Sequence, residues 1–146
     1  MIDTTLPIII RPIIESDYAY ILASFTREIH KIVPYNFIPN KIFFPHYTKL
    51  INSIIQNSQI SVACLEDNHE DIVGYLISQD YNESNLIVYW AQTKAIFRRL
   101  GVMKALLEPH DYQKKNLICP HYFRLFKELK EPYSLVFDPT ILEALV

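Results

Sequence analysis

Three β-rich runs follow one another in the middle of this chain, and they restrict its fold more than any other feature. Residues 59–65 and 72–79 are separated by the polar stretch 66–71, the pattern of a hairpin, and 86–93 follows the turn-like Asn82-Glu83-Ser84-Asn85. Strands joined by such short connections pair antiparallel. On both sides of this meander the apolar period changes from two to three-and-four. Residues 7–11 form a β-branched run closed by Pro12, Ser16 offers an N-cap, and Tyr18, Ile21, Leu22, Phe25 and Ile29 then fall on one helical face. Tyr47, Leu50, Ile51, Ile54 and Ile55 mark a second helix. Between the two, residues 34–45 mix prolines, asparagines and aromatics without a period and read as a loop or an irregular short helix. Tyr35, Phe37, Phe43 and Phe44 there either line a pocket or, as is commoner for such aromatics, cover the edge of the core.

Beyond the meander, residues 98–108 carry Leu100, Met103, Leu106 and Leu107 on one helical face, with Pro109 ending it. A short strand at 117–119, a helix marked by Tyr122, Leu125, Phe126 and Leu129, and an extended segment at 132–137 complete the order. Strands that reach later strands through helices need crossovers and parallel pairing. The expectation is therefore one α/β (α+β) domain over residues 1–146, with a mixed, mostly antiparallel central sheet and helices on both faces.

Composition bounds the function. Half of the 146 residues are hydrophobic, enough to offset the ordering entropy of a folded domain. The formal net charge of −2 gives no general attraction to nucleic acid or to an anionic membrane, so an anion site must be local. The apolar runs are far shorter than a membrane span, and Asp3 stands where a secretory signal is basic, which reads as a cytoplasmic protein. Cys64 and Cys119 are too few for a disulfide framework, and His30, His46, His69, His110 and His121 show no ligand spacing, so no metal is expected.

The chain has two glycines, and one of them, Gly101, lies in Arg98-Arg99-Leu100-Gly101-Val102-Met103, between the third strand of the meander and the helix after it. Arginines at a helix start face the positive end of its dipole unless an anion accompanies them, and a phosphate reverses the sign. In element order and at this junction the sequence resembles the GCN5-related N-acetyltransferase (GNAT) superfamily, whose phosphate-binding signature is RxxGx(G/A). The second glycine, Gly74, falls where the family's third strand often carries one. The resemblance runs from Ile8 to about Asp138.

Several expectations follow from it. The fold would be of the acyl-CoA N-acyltransferase type, and acetyl-CoA would be the cosubstrate, donating to a primary amine of a small molecule or protein. Its diphosphate would lie on Arg98, Arg99, Leu100, Gly101, Val102 and Met103, and its pantetheine arm would pair with the main chain of Gln92 and Thr93. Gln92 would also donate the oxyanion contact. Met103 replaces the preferred Gly or Ala and would crowd the diphosphate. The tyrosine that usually acts as general acid is missing from its place near Lys130, which leaves His121 and Tyr122 as catalytic candidates. The alternative is a degenerate, inactive fold serving as a protein-binding module. Residues 94–101, and Phe137-Asp138-Pro139 near the end, are most similar to small acetyltransferase-like proteins of tailed phages and prophages, which implies a host cytoplasm.

Overall fold

The computed structural model describes residues 7–121 and 134–145. Tyr122 and the apolar face expected at residues 122–129 lie outside them. Six strands form one sheet in chain order: β1 (Ile8–Pro12), β2 (Gln59–Leu65), β3 (Asn68–Asn82), β4 (Asn85–Thr93), β5 (Asn116–Cys119) and β6 (Ser134–Phe137). The pairs β1–β2, β2–β3 and β3–β4 are antiparallel, and β4–β5 and β5–β6 are parallel. This is the mixed, mostly antiparallel sheet expected.

Among the described residues, three α-helices pack on it: α1 (Tyr18–His30), α2 (Asn40–Gln56) and α3 (Val102–Leu107). They occupy both faces. Tyr75 of β3 points to α1, where its hydroxyl lies 3.0 Å from Ser24 Oγ. Its neighbour Gly74 points the other way, toward Val102 of α3. Ile21, Phe25, Ile29, Ile51 and Ile54 fill one side of the core, with Val102, Leu106 and Leu107 on the other.

Strand β3 starts four residues earlier and ends three later than the expected 72–79, and three helix boundaries also differ from the sequence expectation, each for a local reason. Helix α1 has Asp17 at its N-cap rather than Ser16, after a single 3-10 turn at Glu15–Asp17. The Asp17 carboxylate does not cap the helix but accepts the Ile14 amide at 2.9 Å and the Arg11 guanidinium at 2.7 and 3.2 Å. Helix α2 begins at Asn40, seven residues before the periodic face, and runs through Pro45. Stacking of Phe43 on Tyr47 one turn later, with ring centroids 4.7 Å apart, favours helix across the proline. Helix α3 is a short element that starts after the arginines, not with them.

Candidate functional site

Between β4 and β5 the sheet opens. Pairing of the two strands covers only Asn85, Leu86 and Ile87 against Asn116, Leu117 and Ile118. Strand β4 then runs on through Thr93, five further steps after Val88, about 17 Å at about 3.4 Å per residue. The divergence begins at a bulge. Ile77 opposes Trp90 and Ser78 opposes Val88, so Tyr89 is the extra residue on β4. A bulge bends its strand and increases the local twist.

The ladder also determines which main-chain groups face the opening. Opposed pairs in an antiparallel ladder alternate between those that exchange hydrogen bonds and those that do not. The Lys94 amide donates to the Val73 carbonyl at 2.8 Å, so Thr93–Gly74 is the non-bonded kind and Gln92–Tyr75 the bonded kind. Gln92 therefore turns its amide and carbonyl to β3, so the main-chain contact expected of it is not offered to the opening. Ala91 and Thr93 face the opening instead. The Thr93 carbonyl accepts a bond there from Arg98 Nε at 3.2 Å.

At the end of β4, residues 94–107 hold Lys94, Arg98, Arg99 and Lys104 and no acidic residue, within a chain of net charge −2. Arg99 and Gly101 are left-handed, with φ of 65° and 82°. Glycine tolerates this, whereas the arginine stores strain of about 1–2 kcal/mol. Space around Gly101 is open, with no atom within 4 Å of the position a Cβ would take. Met103 packs against the hydrophobic core rather than standing over that space. Val102 is buried, Leu100 half-buried and Arg99 exposed. Because the two arginines precede a six-residue helix, its dipole is too small to explain them. Arg98 ties the loop to β4, and Arg99 is held outward by its backbone.

His121 follows β5 on the far side of the opening and is 1% exposed. Its ring centroid lies 6.0 Å from Trp90, 6.4 Å from Phe25 and 5.8 Å from Tyr35. Burial pushes the imidazole down to about 4, and the Tyr89 backbone offsets this only in part. Neither ring nitrogen makes a hydrogen bond of good geometry among the described residues, although the Tyr89 main chain lies close enough to favour the protonated ring. At neutral pH His121 is thus uncharged, and burial disfavours its protonation. Trp90 and Gln92 share its face of the sheet, the indole donating to Gln92 Oε1 at 2.9 Å.

The structure thus brings Thr93 and Arg98 together at one end of the opening and Trp90 and His121 at its middle. Sequence reasoning missed Ala91 and Trp90, whereas Tyr35 was among the aromatics it set at a pocket or the core edge. Only the register reveals Ala91, although Trp90, the single tryptophan, sits in a strand whose end was already singled out. No cluster of metal-ligating side chains occurs among the described residues. No described helix is long and apolar enough to cross a membrane.

No family model matches the chain, and no curated protein matches it. Solved structures do. A Pyrococcus furiosus protein named as an acetyl transferase superposes with a TM-score of 0.64 at 16% identity, over 85% of this chain and 90% of its own. A Corynebacterium glutamicum protein described as histone acetyltransferase HPA2 and related acetyltransferase gives 0.53 at 16% identity, over 72% and 70%. A GNAT-family acetyltransferase of Staphylococcus aureus Mu50 gives 0.47 at 21% identity, over 70% and 62%. The fold of this chain matches that of the GNAT acetyltransferases.

Proposed function

We propose that this chain binds acetyl-CoA along the open edge of β4 and transfers the acetyl group to a primary amine. One observation carries the reading: β4 outruns β5 from the Tyr89 bulge onward and presents main-chain groups that no described strand pairs with on that side. An extended arm can add there as a strand would. Ala91 and Thr93 would pair with the pantetheine arm. The amides of residues 100–103, with Arg98 and Arg99, would hold the diphosphate, a charge-assisted arrangement that suits a phosphate anion. Fold likeness alone does not establish an activity, so the weight rests on this geometry.

In the reaction the amine nitrogen attacks the thioester carbonyl, a C–N bond forms, the C–S bond breaks, and coenzyme A leaves as thiolate. Main-chain donors facing the opening stabilise the developing oxyanion. His121, held neutral by burial, is a weak base and is left the role of orienting the amine through a hydrogen bond, and Tyr122, next in the chain, is the proposed donor to the thiolate. The compartment that fits this chemistry is the cytoplasm. An inactive binding module is the alternative, favoured by the exposure of Val33, Phe37 and Ile42 around the connection from α1 to α2. Turnover of any amine would remove it.

Calorimetric titration with acetyl-CoA tests the proposal, and a folded protein that gives no heat at millimolar ligand refutes it. Arg99→Gly sharpens the test because two effects oppose each other. Glycine accepts the left-handed backbone, so stability should hold or rise by up to about 1 kcal/mol. Loss of the guanidinium should weaken acetyl-CoA binding at least tenfold, about 1.4 kcal/mol. Unchanged affinity would exclude Arg99 from the diphosphate site.

A further inference from the structure

Strand β4 holds a side-chain donor that none of the described residues uses. Trp90 and Gln92 alternate with Ala91 along the strand and stand on the same face of the sheet. The indole Nε1 donates to Gln92 Oε1 at 2.9 Å. An indole N–H only donates, so it fixes which end of the amide faces it, and Nε2 with its N–H groups is turned away. Among the described residues nothing accepts from that Nε2, and Gln92 is half-buried, within reach of a ligand that enters the opening. The polar groups beside it are engaged elsewhere. Tyr75, opposite Gln92 in the β3–β4 ladder, has its hydroxyl against Ser24 Oγ at 3.0 Å. Lys94, on the same face, lies 3.8 Å from Asp71 and over the Tyr20 ring. Gln92 also sits between Ala91 and Thr93, the two residues whose main-chain groups face the opening.

We infer that Gln92 Nε2 donates to the carbonyl oxygen of the bound thioester, adding a side-chain donor to the oxyanion site, and that Trp90 is the residue that positions it. The inference rests on the acetyl-transfer reading above and gives that reaction a further catalytic residue. Register turns the main chain of Gln92 toward β3, but its side chain leaves the sheet on the α1 face, beside the edge on which the pantetheine arm would lie. When the amine nitrogen bonds to the carbonyl carbon, the C=O π pair moves onto oxygen and the adduct loses a nitrogen proton to water. Collapse of the oxyanion re-forms the C=O bond and expels the thiolate. A donor already held by the indole needs no reorganisation as that charge develops.

The experiment compares acetyl-CoA, coenzyme A and S-ethyl-coenzyme A, the thioether that lacks the carbonyl, by calorimetric titration. Acetyl-CoA is expected to bind about three- to tenfold tighter than the thioether, the net worth of one hydrogen bond. Isotope-edited infrared spectra should place the C=O stretch of bound acetyl-CoA below that of the free ligand. Gln92→Glu keeps an oxygen for the indole and loses the donor, whereas Gln92→Met loses both without adding a charge. Each should reduce the carbonyl preference at least threefold and return the stretch toward its free value. In Gln92→Met coenzyme A itself should bind as in the parent, and this variant decides the matter if the added charge of Gln92→Glu weakens coenzyme A. Trp90→Phe should lower the preference with coenzyme A affinity unchanged. A tryptophan kept only for packing would not move the preference.

Binding of all three ligands without a carbonyl preference in the parent, or a preference and stretch unchanged in folded Gln92→Met, overturns the inference alone. No heat from acetyl-CoA or coenzyme A refutes the acetyl-transfer reading and the inference with it.

Discussion

Asp17→Ala is expected to lower stability by about 3 kcal/mol, near the low end for breaking a buried ion pair because Arg11 keeps some contact with water. Asp17 is 4% exposed and the Arg11 side chain 13%. The carboxylate receives two bonds from Arg11 and one from the Ile14 amide, while Arg11 also donates to the carbonyls of His69 and Pro12. One guanidinium thus joins the end of β1, the entry to α1 and the hairpin from β2 to β3. Removing its anion leaves a largely desolvated charge. For a chain of this length the melting temperature should fall by roughly 6–12 °C, measured by scanning calorimetry. A fall under about 2 °C would show that the pair contributes nothing net.

Acid titration of the same pair has a definite sign. Burial pushes the Asp17 carboxyl up, but the Arg11 hydrogen bond, the Ile14 amide and the Arg11 charge together bring it below the usual value. A depressed carboxyl contributes stability that is fully present above its unfolded value near 3.9 and is lost as pH falls through the lower folded value. The parent should therefore lose stability below about pH 4 in a step that Asp17→Ala lacks.

Gly74→Val is expected to destabilise by about 2–3 kcal/mol and to weaken acetyl-CoA binding at least tenfold. A Cβ at this position would lie 2.8 Å from the Gln92 carbonyl oxygen, 3.0 Å from Val102 Cγ1 and 3.4 Å from Thr93 Oγ1. The nearest atom is backbone and cannot swing aside. Either β3 and β4 separate at the stretch that faces the opening, or α3 lifts from the sheet and takes the Gly101 loop with it. Denaturant unfolding measures the first effect and calorimetry with acetyl-CoA the second. A valine variant as stable as the parent, with unchanged binding, would show that the close approach of β4 and α3 is not needed.

How much of this could be read from the residues depends on the range of the forces involved. Strand β2 falls on residues 59–65 as expected, because alternation over seven residues is a local signal. Helix α2 was legible only from Tyr47 onward, since Pro39 and Pro45 mask the Phe43–Tyr47 pairing that extends it. Gly101 and the basic residues around it were legible as a loop that needs a left-handed residue and attracts an anion. Arg99 sharing that conformation was not, because arginine has no such preference. The expected role of Gln92 failed on a single step of register. Its neighbours Ala91 and Thr93 face the opening because ladder pairs alternate, and which phase applies is fixed by the Lys94 bond to Val73.

Alone, the sequence determined the element order, the mixed sheet and the basic glycine junction, since periods of two and three-and-four, turn residues and charge runs act over a few neighbours. Tertiary structure decided where β4 parts from β5, which of its main-chain groups face the opening, and that His121 is buried and neutral. Those properties come from a bulge and from contacts with Phe25, Tyr35 and Trp90, which lie far from His121 along the chain. Desolvation and register are set by what packs alongside, and no local pattern encodes them.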